Sequence, residues 1–255
     1  MNRYLAYFDL LGYRQFLLRN AHDDLYRRVG HVLRDVEMSL GQGKYVELDP
    51  GRVGADLSQS PISTLIYSDT ILFYTNNNST DLLEEILKVA HEFNWRMNLY
   101  NMPVRGCVYY GELTGRFGQM NNDQDASYRL GTVYGKGIVL AHDMAEGLSF
   151  AGAVIDGTVI DRLRALEIEP DPFLSRYAKR YPVPSKYSGV NGQENYIFRI
   201  SATELNSTSF TNYSEDIRST FARDKKETDH PRVQEILKNS IDYLRSFLPT
   251  EEGKK

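Results

Sequence analysis

Along the N-terminal part of the chain, apolar residues come first in an unbroken run and then at helical spacing. Residues 3–11 contain Tyr4-Leu5-Ala6-Tyr7-Phe8-Asp9-Leu10-Leu11, a near-continuous apolar stretch that reads as a buried strand. From 12 to 38 the period lengthens. Leu25, Val29, Val32 and Val36 share one face while Arg27, Arg28, Arg34 and Asp35 fall elsewhere, which predicts one long helix. Residues 41–61 are rich in Gly, Pro, Ser and Asp and read as a loop or insertion. Residues 62–75 form an apolar hairpin whose turn carries Ser68-Asp69 in place of a glycine. After the break Asn76-Asn77-Asn78-Ser79-Thr80, Asp81 and Glu84 have the spacing of a capping box. Leu82, Leu83, Ile86, Leu87, Ala90 and Phe93 give the helix that follows its apolar face.

The second half is less regular. A strand is predicted over 103–110. Residues 111–115 turn and run into a short strand, and 121–127 are polar and exposed. A helix is predicted over 135–148, with Ile138, Val139, Ala141 and Met144 on its buried side. Further on come a strand at 151–155, a short helix at 158–166, irregular chain over 168–192 and a strand at 196–200. An amphipathic helix over 231–247 and a disordered tail at 251–255 complete the chain. The order strand, helix, hairpin, helix, strand is that of a ferredoxin-like α+β fold: a βαββαβ-type antiparallel sheet with helices on one face. Residues 1–156 are expected to make the core and 157–255 an extension that completes the domain. This plan sets the end of the first strand beside the hairpin turn, so Asp9 and Asp69 converge although they are far apart in sequence.

Composition narrows the chemistry. The 255 residues carry 30 Lys+Arg against 34 Asp+Glu, a net charge of −4, which argues against a broad basic surface for nucleic acid. The single cysteine, Cys107, cannot form an internal disulfide; its apolar strand makes it a core residue rather than a nucleophile. His22, His31, His91, His142 and His230 have no zinc-ligand spacing. His142 reads as a helix-surface residue rather than a general base. No membrane-length apolar stretch and no signal peptide are visible, so a cytoplasmic location is expected.

An acid inside an apolar run is costly to bury unless something pairs with it. Taken singly, Asp9 and Asp69 read as caps of the adjoining helix or turn. Taken together at converging strand ends they suit a hard cation such as Mg²⁺, which prefers carboxylate and phosphate oxygens.

Four segments then carry a resemblance. Phe8-Asp9-Leu10-Leu11-Gly12-Tyr13, Tyr67-Ser68-Asp69-Thr70, the segment Val104-Arg105-Gly106-Cys107-Val108-Tyr109-Tyr110-Gly111-Glu112, and the stretch from Val133 to Glu146 follow the order of the class III nucleotidyl cyclase motifs. The chain departs from the purine-specific members. Val139 and Asp143 stand where those carry Asn-x-x-x-Arg, whose Arg steadies the transition state. Leu65 replaces an adenine-reading Lys, and Thr132 an acidic base-reading position. The opening motif and the hairpin are most similar to the bacterial pyrimidine cyclases of the Pycsar anti-phage systems, which are homodimers.

The resemblance implies cyclisation of UTP or CTP to 3′,5′-cyclic UMP or cyclic CMP plus pyrophosphate, with two Mg²⁺ or Mn²⁺ ions. Asp9, Asp69 and the Leu10 carbonyl are the implied metal ligands, and the amides of Leu11, Gly12 and Tyr13 a phosphate cradle. Gly12 is equally well read as an ordinary turn glycine. Leu65 and Thr132 mark the base site. Tyr67 and Tyr134 add bulk near it, though core packing is the preferred reading of Tyr134. Arg14, Arg105, Arg129 and Lys136 are candidate phosphate or transition-state cations; for each taken singly a solvated or salt-bridged surface role is the preferred reading, and Arg129 and Lys136 gain weight from flanking the glycine-rich 131–137 segment. The alternatives are a purine cyclase, or a non-catalytic dimeric sensor that binds nucleotide without turning it over.

Overall fold

The computed structural model describes residues 1–121, 127–187, 194–201 and 203–249. The first half runs β1 (Asn2–Leu10), α1 (Tyr13–Arg19), α2 (His22–Gly41), β2 (Tyr45–Asp49), β3 (Arg52–Ala55), β4 (Ser63–Tyr67), β5 (Thr70–Tyr74) and α3 (Thr80–Tyr100). The second half continues β6 (Val104–Glu112), β7 (Thr114–Asn121), β8 (Ser127–Tyr134), α4 (Lys136–Gly147), β9 (Gly152–Ile155), α5 (Gly157–Ala165), α6 (Pro170–Leu174), β10 (Ala178–Pro182), β11 (Glu194–Phe198), α7 (Ser207–Ala222) and α8 (Pro231–Arg245).

One seven-stranded sheet has the order β10-β11-β9-β6-β1-β5-β4. Its section β6-β1-β5-β4 is the ferredoxin-like order, with the first strand central and the hairpin at its side. β1 is antiparallel to both neighbours, and Asp9 lies opposite Thr70 of β5 and Arg105 of β6. β6 and β9 pair in parallel. β10 and β11, from the C-terminal part, lengthen the same sheet.

Alternation along β1 divides the core. Tyr4, Ala6, Phe8 and Leu10 face α2, α3 and α5, where Phe8 and Phe73 meet Phe93 edge-on. Leu5 and Tyr7 face the other way, towards α4, α7 and α8. The sheet is thus covered on both sides: α2 and α3 form the expected layer, and α4 with the two C-terminal helices adds a second. Gly106 is required for this packing, because a Cβ there would lie 2.4 Å from the Phe8 ring and 2.7 Å from the Tyr7 carbonyl.

Several expectations are corrected. The long first helix is two helices. Asn20 breaks it by donating its side-chain amide to the Phe16 carbonyl, which closes α1, and Ala21 is extended before α2 restarts. The 41–61 segment is in large part an exposed hairpin, β2–β3, not a loop. α3 starts at Thr80 with Ser79 as its cap and no side-chain cap bond, so Asp81 and Glu84 form no capping box; Glu84 instead pairs with Arg176 at 3.1 Å. The short strand after β6 is a full hairpin arm, β7, paired with β8. α6 and β10 lie within the stretch expected to be irregular. The polar tip 122–126 and the tail 250–255 fall outside the described residues.

α7 was not anticipated. Its Ser, Thr and Asn content weakens helix propensity, but Phe210, Tyr213, Ile217 and Phe221 recur at helical spacing. Asn206 and Ser209 supply the capping box that starts it. No helix among the described residues is long and apolar enough to cross a membrane.

Candidate active site

The hairpin β4–β5 turns through two residues. Ser68 takes φ 55°, the positive value such a turn needs at its first central position. The Leu10 N–H donates to the Asp69 carbonyl at 2.9 Å and ties this turn to the end of β1. Asp9 and Asp69 are therefore brought together, as the ferredoxin-like order requires. Thr70 and Arg105 flank Asp9 in the sheet register.

Asp9 is mostly buried. Arg105 donates to its Oδ2 through Nε at 2.9 Å and through a terminal nitrogen at 2.8 Å. Burial raises the Asp9 carboxyl above its ordinary range; Arg105 opposes this, and the nearby Asp69 charge adds to it. Arg105 also donates to the Glu146 carbonyl at the end of α4, so both faces of its guanidinium are committed. It is a positioning cation on Asp9, not a free phosphate ligand.

The donor set fits a hard divalent cation. Two carboxylates and a backbone carbonyl offer only oxygen, and Asp9 keeps Oδ1 clear of Arg105. Among the described residues no cluster of three or more His, Cys, Asp or Glu is poised for a metal. A two-carboxylate site of this kind matches the usual binding of Mg²⁺, which takes one or two carboxylates and completes its shell with water and substrate phosphate.

Beside this pair, Tyr7 OH meets Thr70 Oγ1 at 3.2 Å and His142 Nδ1 at 2.9 Å. Burial raises the Tyr7 hydroxyl, and Asp9 and Asp69 push it further. His142 is thus a surface-helix residue held by Tyr7 through Nδ1, with Glu146 3.7 Å from its Nε2. Tyr7 and His142 lead into a groove of about 860 Å³ that also holds Leu65, Tyr67, Thr132 and Val139. Leu65 and Thr132, the two positions expected from the resemblance to read the base, both line this groove.

Other expected contributors are placed differently. The Leu11 amide donates to the Pro103 carbonyl at 2.8 Å, so it is withdrawn from any phosphate cradle. Gly12 adopts φ 77° as the cap of α1, with Tyr13 opening that helix. Lys136 begins α4 in solvent and lines neither the groove nor the cavity beside Asp9. The Arg129 side chain lies outside the described residues. Val139 is 58% exposed, not buried, because α4 turns Ala141 and Ala145 to the sheet. Tyr134 is 52% exposed, so core packing is not its role. Cys107 is buried, and burial pushes its thiol well up, which leaves no thiolate for nucleophilic chemistry.

Sequence reasoning missed a second cavity, of about 850 Å³, on the other side of Arg105. Arg14, Lys186, Lys226 and Arg232 line it with Glu146. Arg14 and Glu146 stood in or beside a motif; Lys186, Lys226 and Arg232 belong to segments that pattern alone does not bring to β1.

No family model matches the sequence, and no curated protein matches it. Solved structures do show likeness. The catalytic core of a rhodopsin-guanylyl cyclase with converted specificity, in complex with ATPαS, aligns at TM-score 0.48 and 10% identity over 77% of this chain and 94% of that one. A non-canonical dimeric guanylyl cyclase domain from the aquatic fungus Blastocladiella emersonii aligns at 0.45 and 11%, over 77% and 93%. A class III adenylyl cyclase-like ATP-binding protein from Pseudomonas aeruginosa aligns at 0.37 and 9%, over 96% and 43%. At such low identity the functional reading rests on this chain's own residues.

Proposed function

We propose that this chain is a metal-dependent nucleotidyl cyclase of the class III type, acting on UTP or CTP as a homodimer. The observation that carries this reading is the meeting of Asp9 and Asp69, fixed by the Leu10–Asp69 backbone bond. In the reaction the ribose 3′-oxygen bonds to the α-phosphorus, the bond to the β-phosphate oxygen breaks, and pyrophosphate leaves with the hydroxyl proton released. Asp9, Asp69 and the Leu10 carbonyl would hold the divalent ions, which when bound lower the pKa of the attacking hydroxyl and neutralise phosphate charge. Arg105 opposes the effect of burial on the Asp9 carboxyl and aims it through Oδ2, leaving Oδ1 for the cation. By its resemblance to the Pycsar cyclases, the product is a second messenger of anti-phage defence.

The preference for pyrimidines rests on what is missing. Leu65 offers no donor to adenine, and Thr132 no carboxylate to an exocyclic amine. Size does not support it: the groove is roomy, Tyr67 is 80% exposed, and Tyr134 is not among the groove's lining residues. Incubation with an equal mixture of the four NTPs and Mn²⁺ is expected to yield cyclic UMP or cyclic CMP as the main product. Dominant cyclic AMP or cyclic GMP replaces the pyrimidine assignment with the purine one. Binding without any cyclic product leaves the sensor reading.

The dimer reading draws on the apolar surface around the groove, where Tyr67, Phe117 and Val139 are all more than half exposed. A two-fold pairing over this surface would set the carboxylates of one protomer against Leu65 and Thr132 of its partner. Mixing Asp69→Ala protein with Thr132→Arg protein, each inactive alone, is expected to restore part of the activity. A fully active monomer in sedimentation rules the arrangement out.

A further inference from the structure

The cavity beside Asp9 gathers Arg14, Arg105, Lys186, Lys226 and Arg232 from separate parts of the chain. Of its acidic lining, Glu227 pairs with Arg19 at 3.1 Å, while Glu146 lies 3.7 Å from His142 and its charge also reaches Lys186. Arg105 is committed to Asp9. Among the described residues, Arg14, Lys186, Lys226 and Arg232 have no carboxylate within ion-pair distance. Burial, and then the charges of Arg105 and Arg232, bring the Lys186 ammonium down to about 8 against the opposing charges of Glu146 and Asp9. Burial brings Lys226 to about 8 as well, although Asp224 opposes the shift. Cations crowded in a partly desolvated space repel one another unless an anion enters.

The frame that holds them is built rather than loose. The α7–α8 connection is pinned where Arg28 grips Asp224 at 3.0 Å and the Asn20 side-chain amide donates to the Asp224 carbonyl at 2.7 Å. The Glu227 N–H donates to Gln15 Oε1 at 2.8 Å. Between these ties the stem of Lys226 crosses Gly12 so closely that a Cβ there would sit 2.9 Å from Lys226 Cδ, and Nζ donates to the Thr220 carbonyl at 3.3 Å.

We propose that this cavity is a polyphosphate site in which Lys226 and Arg232 of the α7–α8 connection, with Lys186, hold the triphosphate tail of the nucleotide. The inference rests on the cyclase reading for the identity of that nucleotide and extends it to segments far from the motif set. Arg105 lines the cavity and grips Asp9, so it marks where the tail meets the carboxylates. The cations would neutralise the departing pyrophosphate, a task for which the uncharged Val139 and the acidic Asp143 supply no positive group.

The test is calorimetric titration of the full chain with inorganic tripolyphosphate, pyrophosphate and orthophosphate, without divalent cations. Competition by UTP and CTP distinguishes a nucleotide tail from free polyphosphate. Tripolyphosphate is expected to bind more tightly than orthophosphate and to be displaced by the nucleotides. Lys226→Gln and Arg232→Gln are each expected to weaken it about tenfold, with unchanged circular dichroism. Arg232 is a surface residue of α8, so its variant carries the test if the buried Lys226 change disturbs folding. Unchanged tripolyphosphate affinity in the folded variants overturns the inference and leaves cyclase activity standing. Weakened binding in a protein that forms no cyclic nucleotide upholds the site and removes the cyclase reading.

Discussion

Asp9→Ala and Asp69→Ala are each expected to cut cyclic-nucleotide production at least about 100-fold, more than the 10–100-fold typical of losing an outer-shell partner at a metal site. Both proteins should stay folded. Asp69 is tied to β1 through its backbone carbonyl, which alanine retains. Asp9→Ala leaves Arg105 its bond to the Glu146 carbonyl. The pH dependence has a definite sign. Burial raises the Asp9 carboxyl, so as pH falls the cation-binding carboxylate is lost earlier than at an ordinary aspartate. Apparent Mn²⁺ affinity should fall through that raised range. Turnover near the native level in either variant, with metal dependence intact, removes the central claim.

Arg28→Ala is expected to cost about 3–5 kcal/mol in urea unfolding, the usual penalty for stripping one partner from a buried ion pair. Arg28 and Asp224 both have side chains only 8% exposed, and Arg28 also donates to the Asn101 carbonyl at 3.1 Å. Without Arg28, the Asp224 carboxylate loses its ion-pair partner, and the α7–α8 connection loses its anchor on α2. Replacing both residues by apolar ones of similar volume should recover much of the loss, because no charge is then stranded. A loss below about 1 kcal/mol in the single variant would show that solvent reaches the pair.

The ferredoxin-like order and the Asp9–Asp69 meeting were legible because each depends on local pattern. An unbroken run makes a central strand, and a two-residue turn lets one hairpin follow it. The break at Asn20 was hidden because its cause is a side-chain bond to the Phe16 carbonyl, which periodicity does not register. Leu11 was misread because its amide partner, Pro103, lies on a distant segment. Lys186, Lys226 and Arg232 were out of reach for the same reason. Their significance lies in a shared cavity, and nothing in the spacing of isolated cations announces one. Tyr134 and Val139 were placed by hydrophobicity alone, yet the second helix layer leaves both on an open surface.

The two-sided cover of the sheet bears on how the chain is made. β1 and the β4–β5 hairpin are made by residue 74, but α7 and α8, which supply Ile217, Phe221, Ile236 and Ile241 to the cluster that holds Leu5 and Leu72, come after residue 206. Domains form as units during synthesis, and exposed apolar surface is where nascent chains go astray. That second cluster therefore stays incomplete until α8 has been made, although α4 contributes to it earlier. Asp9 and Asp69 are made long before Lys186, Lys226 and Arg232, so nascent chains pass through a stage in which the cavity beside Arg105 lacks those cations and the second core is still open.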